Sequence, residues 1–224
     1  MTVEISRHPD ASTLMSFVSG ALTEPLAAVV AAHLSLCPHC RAGVADLELL
    51  GAAVIDSKAL ASGAGDGAPD GDAIVIPSLP KDDPAEHPKR RSVRAQVPLT
   101  HPLTQHYGID LASVPWKRLA PGVWHHRLAL SPSVDGDLRL LKIAAGVRMP
   151  VHGHGGAELT LVLDGAFTDE TGNYRCGDLQ DVNDDIEHRP IADKLTGCIC
   201  LIASERPAKF KGIIGRLMQP WTGM

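Results

Sequence analysis

The chain has 224 residues, with 21 Lys and Arg against 26 Asp and Glu, a net charge of −5, and 44% hydrophobic but only 4% aromatic residues. That length supports one ordinary domain or two small ones around a real hydrophobic core. An acidic balance with no basic run beyond Lys89-Arg90-Arg91 excludes a surface built to neutralise phosphate, and apolar stretches no longer than 26–32 exclude a helix crossing a bilayer.

The opening residues, Met1-Thr2-Val3-Glu4, lack the charged-then-apolar layout of a secretory signal, so the expected location is cytoplasmic. Leu14, Phe17, Val18 and Leu22 form one apolar stripe and predict a first helix opening near Asp10. Thr23-Glu24-Pro25 is a helix start, with Thr23 as cap and Pro25 tolerated in the first turn. The second helix then carries Leu26, Val29, Val30, His33 and Leu34. Pro38 opens a third, bearing Val44, Leu47, Leu50 and Val54, and the short connections predict antiparallel neighbours.

Five cysteines, at 37, 40, 176, 198 and 200, are odd in number and unevenly spaced, which argues against a disulfide scaffold. Two of them belong to His33-x3-Cys37-x2-Cys40. On a helix, His33 and Cys37 share a face, and Cys40 falls in the first turn of the next helix, where the unpaired N–H groups favour a thiolate. A tetrahedral site needs a fourth ligand, and His8 ahead of the first helix is the candidate, whereas His39 between the cysteines should point away. A mixed His/Cys set favours zinc over an iron–sulfur cluster. The bland alternative is a buried cysteine pair beside a solvated histidine.

Residues 63–104 change character: Gly, Ala, Asp and Pro dominate 63–72 and four prolines follow between 77 and 88, so this stretch is expected to be a flexible linker. The division is thus a helical domain at 1–62, extending at most to about 85, the linker, and a second domain at 105–224. There the runs at 123–128, 138–143, 158–163 and 197–202 favour strands separated by turn signals, the mark of an all-β sandwich or barrel. Within it, His152 and His154 share a strand face, Glu158 follows with the same parity, and His188 on a later strand completes a set of three imidazoles and a carboxylate. Gly165 is expected to close a hairpin, and Leu140, Ile143, Leu161 and Leu163 to line the interior. Cys198 and Cys200, two apart on one strand, are either core residues or a redox-sensing pair. His87, His101, His106, His125 and His126 receive no role, and the three tryptophans are read as packing residues.

Two resemblances then bear on function. Residues 8–40 look like the zinc-binding anti-sigma domain, and Gly146-x5-His152-x-His154-x3-Glu158-x6-Gly165 is similar to the first cupin motif. The second cupin motif is partial: Asn183, Asp185 and Ala192 replace its usual Pro, Gly and Asn, while Gly177-Asp178 and His188 are kept. The combination resembles the ChrR-type anti-sigma factors, which respond to singlet oxygen and organic hydroperoxides. It implies an α+β protein in two domains, a small zinc-stabilised helical bundle followed by an all-β cupin barrel. It also implies two zinc ions per chain, one on His8, His33, Cys37 and Cys40 and one on His152, His154, Glu158 and His188, with iron or manganese open for the second. The implied partner is a group IV (extracytoplasmic-function) sigma factor in a 1:1 complex, released on oxidative stress, with no nucleic acid or membrane contacted. A cupin dioxygenase or isomerase with a helical appendage, and a small-ligand sensor, are the alternatives.

Overall fold

The computed structural model describes residues 4–63, 109–206 and 209–210, so all of the expected linker except Gly63 lies outside the described residues. Helix α1 (Ala11–Val18) ends early: Gly20 takes a left-handed φ of 71°, which turns the chain and leaves Leu22 in the connection rather than in the helix. Helix α2 (Glu24–Leu36) starts at the Thr23 cap position with Pro25 in its first turn, as the sequence predicts. Helix α3 (Pro38–Gly63) runs 26 residues, past the last residue of its apolar stripe. Val44 and Leu47 are half-buried there, but Leu50 and Val54 are exposed, so the distal stripe has no core beneath it among the described residues.

Among the described residues eleven strands follow: β1 (Lys117–Ala120), β2 (Val123–Arg127), β3 (Asp137–Ile143), β4 (His152–Gly153), β5 (Glu158–Asp169), β6 (Gly172–Arg175), β7 (Leu179–Val182), β8 (Glu187–His188), β9 (Ile191–Ala192), β10 (Cys198–Ser204) and β11 (Lys209–Phe210). Eight form one antiparallel sheet, in the order β1-β2-β3-β10-β5-β6 with β7 and β9 also on β5, and β11-β4-β8 form a second. The expected closed barrel is therefore corrected to a cupin-like pair of sheets. The histidine strands β4 and β8 pair with each other, His152 opposite His188, and not with the edges of the large sheet.

The large sheet is buried on both faces. Leu138 and Leu140 of β3, Leu159, Leu161 and Leu163 of β5, and Leu201 and Ala203 of β10 point one way, into a core shared with Leu26, Val29, Val30 and Ala32 of α2. The alternate residues, Leu141, Ile143, Val162, Cys198 and Cys200 among them, point the other way into a second core. Of the four residues expected to line the interior, only Ile143 does so; Leu140, Leu161 and Leu163 face the helix. A strand buried on both faces is apolar at both parities, so alternation could not tell its two sides apart. Gly165 is a second correction. It lies inside β5 opposite Cys198, just past the register shift between Val162 and Asp164, and its φ of 71° and the nearby Gly197 carbonyl leave no room for a Cβ. The hairpin turn comes later, between β5 and β6.

Because α2 and the sheet share one core, their unfolding should be coupled. Leu26→Ala is expected to cost about 2–4 kcal/mol and to shift the helical circular-dichroism transition and the tryptophan-fluorescence transition of Trp116 and Trp124 together. A shift of one transition alone would show that the helices unfold independently.

Candidate metal centres

Two groups of side chains converge tightly enough to hold an ion, His8, His33, Cys37 and Cys40 in the helical region and His152, His154, Glu158 and His188 between the sheets, with ligand atoms in each group within 4.8 Å of one another. They are the two sets the sequence singled out. His39 is exposed and only its ring leans on His8, 4.9 Å between centroids.

In the helical group, Cys37 caps the end of α2 and Cys40 sits in the first turn of α3, its N–H donating to Cys37 Sγ at 3.4 Å. His33 Nε2 lies 3.3 Å from Cys40 Sγ, and His8 Nδ1 lies 3.5 and 3.3 Å from the two sulfurs. A tetrahedral zinc with Zn–S near 2.3 Å and Zn–N near 2.0 Å spaces its N and S ligands by about 3.5 Å, so the group fits. The Cys37 thiol is held far below the ordinary thiol value, chiefly by its hydrogen bond with Cys40 and against the effect of burial, while Cys40 is pushed up by the same shared proton.

The second group is built from short strands and the start of β5. His152 Nδ1 donates to the Pro150 carbonyl at 2.9 Å, and His188 Nδ1 lies 2.6 Å from Asp169 Oδ2. A carbonyl only accepts, so the His152 proton is on Nδ1 and its Nε2 lone pair points inward. There the Nε2 atoms of His154 and His152 each lie 3.1 Å from Nε2 of His188. Facing lone pairs repel, and a cation among them removes the conflict; about 3.3 Å is the N–N spacing of a tetrahedral zinc. His154 Nδ1 is 3.2 Å from Glu158 Oε2 but out of hydrogen-bond alignment, a buried polar atom without such a partner. Burial alone would raise Glu158, yet the surrounding histidines outweigh it and hold the carboxyl below its usual range. His152 is lowered by burial, which keeps it in the neutral, ligating form.

The sequence reading noted the Gly177-Asp178 turn, but what the neighbours of these groups do escaped it. Asp169, whose side chain is fully buried, orients His188 and is itself held by Gln180 Nε2 at 2.7 Å and Thr171 Oγ1 at 2.7 Å. Those bonds outweigh burial and keep its carboxyl well below the usual range. A carboxylate 19 residues from its histidine leaves no local pattern. The turn Gly177-Asp178-Leu179 reaches the other group: Gly177 O accepts from His33 Nδ1 at 3.1 Å, Asp178 Oδ1 from the N–H groups of Ser6 and Arg7 at 2.7 and 3.0 Å, and the Leu179 N–H donates to Arg7 O at 3.1 Å. One strand start thus grips the residues flanking His8 and orients His33, while Gln180, one residue on, supports Asp169 and His188. Cys198 and Cys200 do share a face, with sulfurs 3.1 Å apart; their hydrogen bond, then burial, push the Cys200 thiol up, so it is a poor nucleophile at rest.

Comparison with known proteins gives consistent matches. The ChrR Cupin-like domain model matches residues 104–207. The anti-sigma-E factor ChrR of Cereibacter sphaeroides is 36% identical over 221 residues, 97% of this chain and 98% of that protein. The crystal structure of Rhodobacter sphaeroides SigE in complex with the anti-sigma ChrR aligns over 90% of this chain and 100% of the matched chain, with 34% identity and a TM-score of 0.64.

Removing the carboxylate behind His188 should loosen only its own group. Asp169→Ala is expected to weaken metal binding there by about 10–100-fold in chelator competition, with the helical group unchanged. Equal weakening at both would point to general unfolding instead.

Proposed function

The chain belongs to the ChrR family of anti-sigma factors, and from that premise we propose that it sequesters a group IV sigma factor 1:1 in the cytoplasm and releases it under oxidative stress. The alignment across 97% of the chain with a named anti-sigma factor carries this reading. No helix among the described residues is long and apolar enough to cross a membrane. In this reading residues 1–62 bind sigma, 63–104 connect, and 105–224 receive the signal. His8, His33, Cys37 and Cys40 would hold a structural zinc, and His152, His154, Glu158 and His188 a second. Each ion would cross-link the separate segments that carry its ligands.

The helices offer sigma exposed apolar side chains. Leu49 and Ile55 on α3 are 70% and 68% exposed, and Leu50 and Val54 are about half exposed, as is Met15 of α1. Apolar side chains this concentrated on one helix are the mark of a docking surface. It lies on the part of α3 that extends away from the sheet-packed α2, so the β region does not cover it.

Release has a structural route through β7. The turn leading into it holds the residues before His8 through Asp178 and the ring of His33 through Gly177, and Gln180 of β7 holds Asp169 behind His188, so a rearrangement of the second group would pull on the first. Oxidation of Cys198 and Cys200 by an organic hydroperoxide, giving a disulfide, an alcohol and water, would strain β10 beside the same cavity.

The test is reconstitution with purified group IV sigma factors of the source organism, read by complex formation and by inhibition of transcription in vitro. One sigma factor should bind and be silenced; if none does, the reading falls. Leu50→Asp with Ile55→Asp should weaken that complex by about 100-fold at unchanged metal content. Asp178→Ala should leave sigma binding intact but slow release by tert-butyl hydroperoxide several-fold; an unchanged release rate would remove β7 from the route.

A further inference from the structure

Between the sheets lies a cavity of about 700 Å³, counted out to its open mouth. His152, Glu158 and His188 of the second metal group stand in its wall, beside apolar side chains that include Leu141, Phe167 and Ile202. Two sulfur-bearing side chains, Cys200 and Met149, share that wall. Of the chain's other methionines, Met15 is 56% exposed on α1, and Met1, Met218 and Met224 lie outside the described residues. Met149 is only 9% exposed. A thioether buried in an apolar wall is ordinarily gap-filling. Its backbone and its chemistry set this one apart.

The Met149 N–H donates at 2.8 Å to the carbonyl of Pro190, which follows closely on His188 in the chain. The next residue, Pro150, supplies the carbonyl that accepts from His152 Nδ1 at 2.9 Å. The Met149-Pro150 segment is thus tied to both strands that carry the facing histidines His152 and His188. The other sulfur in the wall, on Cys200, is held as a thiol by its hydrogen bond with Cys198 and by burial. A thiol is the slow form towards a peroxide, whereas a thioether has no proton to lose and reacts as it stands.

We propose that Met149 is an oxidation site, reached through the cavity by an apolar organic hydroperoxide. The hydrophobic body of the oxidant lies along Leu141, Phe167 and Ile202, which brings its peroxide group to the thioether. A sulfur lone pair attacks the terminal oxygen, the O–O bond breaks, and the proton passes to the departing alkoxide. Met149 loses two electrons and becomes the sulfoxide, while the hydroperoxide gains them and leaves as the alcohol. The sulfoxide is polar and ill-suited to a wall shared with Leu141, Ile143 and Phe167. Its displacement moves the backbone of Met149 and Pro150, and with it the carbonyl that fixes the His152 ring. Methionine sulfoxide reductases reverse the step, so the change can be reset. The proposal deepens the release reading, on which its link to stress rests, but the oxidation itself needs no sigma factor.

The experiment uses the full-length, zinc-loaded protein without sigma factor, treated with cumene hydroperoxide or with hydrogen peroxide. Peptide mass spectrometry follows the sulfoxide at Met149 and at Met15, and a chromogenic chelator follows zinc release. Hydrogen peroxide has no apolar body, so the exposed Met15 should react ahead of Met149. Cumene hydroperoxide should raise the ratio of Met149 to Met15 sulfoxide at least about tenfold, the effect of burying a few carbon groups. The same ratio with both oxidants, or sulfoxide at Met15 alone, overturns the proposal. Met149→Leu, which keeps volume and apolarity, should retain its zinc content. In that variant cumene hydroperoxide should release one zinc per chain several-fold more slowly and the other as before; wild-type release of both overturns the link to His152. Should the variant not fold, the sulfoxide ratio in the wild-type chain decides alone. Met149 sulfoxide with a failed reconstitution would fault the sigma reading only, and a bound sigma factor without Met149 sulfoxide would fault this one only.

Discussion

A sheet covered on both faces is the constraint on which the rest of this molecule depends. Strands β3, β5 and β10 send one set of side chains into α2 and the alternate set into the cavity, and no residue of these strands can serve both. Leucines dominate the helix side, where bulk and rotamer simplicity fill a core. Arg139, Glu158, Thr160 and Cys200 fall on the other side, among the residues that give the cavity its chemistry. The helical region and the cavity are thereby placed back to back, one strand's thickness apart.

That arrangement explains why the two candidate metal groups are mechanically related although they lie in different parts of the chain. Each is held from behind by oxygen acceptors: the Gly177 carbonyl for His33, the Pro150 carbonyl for His152, the Asp169 carboxylate for His188. These bonds fix ring orientation and tautomer, which is what turns a set of imidazoles into convergent lone pairs. The acceptor for His33 belongs to the β region, so the helical group is not complete within the helices. Asp178, buried and accepting from Ser6, Arg7 and Arg175, anchors the strand leading to His8 in the same way.

The distal half of α3 stands apart from this economy. It follows the same apolar spacing as the buried helices, yet no part of the described chain covers it, and an anti-sigma factor has need of such a face.

Both candidate groups were legible from the chain alone, because side chains that converge from one element need short, regular spacings: one helical turn between His33 and Cys37, two strand residues between His152 and His154. The order of helices followed by strands was legible for a similar reason, since hydrophobic period is a local property. The tertiary structure decided what local patterns cannot encode. It turned Leu140, Leu161 and Leu163 toward a helix and not the interior, because a doubly buried strand carries no alternation to read. It placed Gly165 inside a strand just past a bulge, since a left-handed glycine serves a close backbone approach as well as a turn. It left the sheets unclosed by pairing β4 with β8. It also brought Asp169 to His188, Gly177 to His33 and Arg127 to Arg139, contacts between residues distant or unpatterned in sequence, which only the folding of one segment onto another creates.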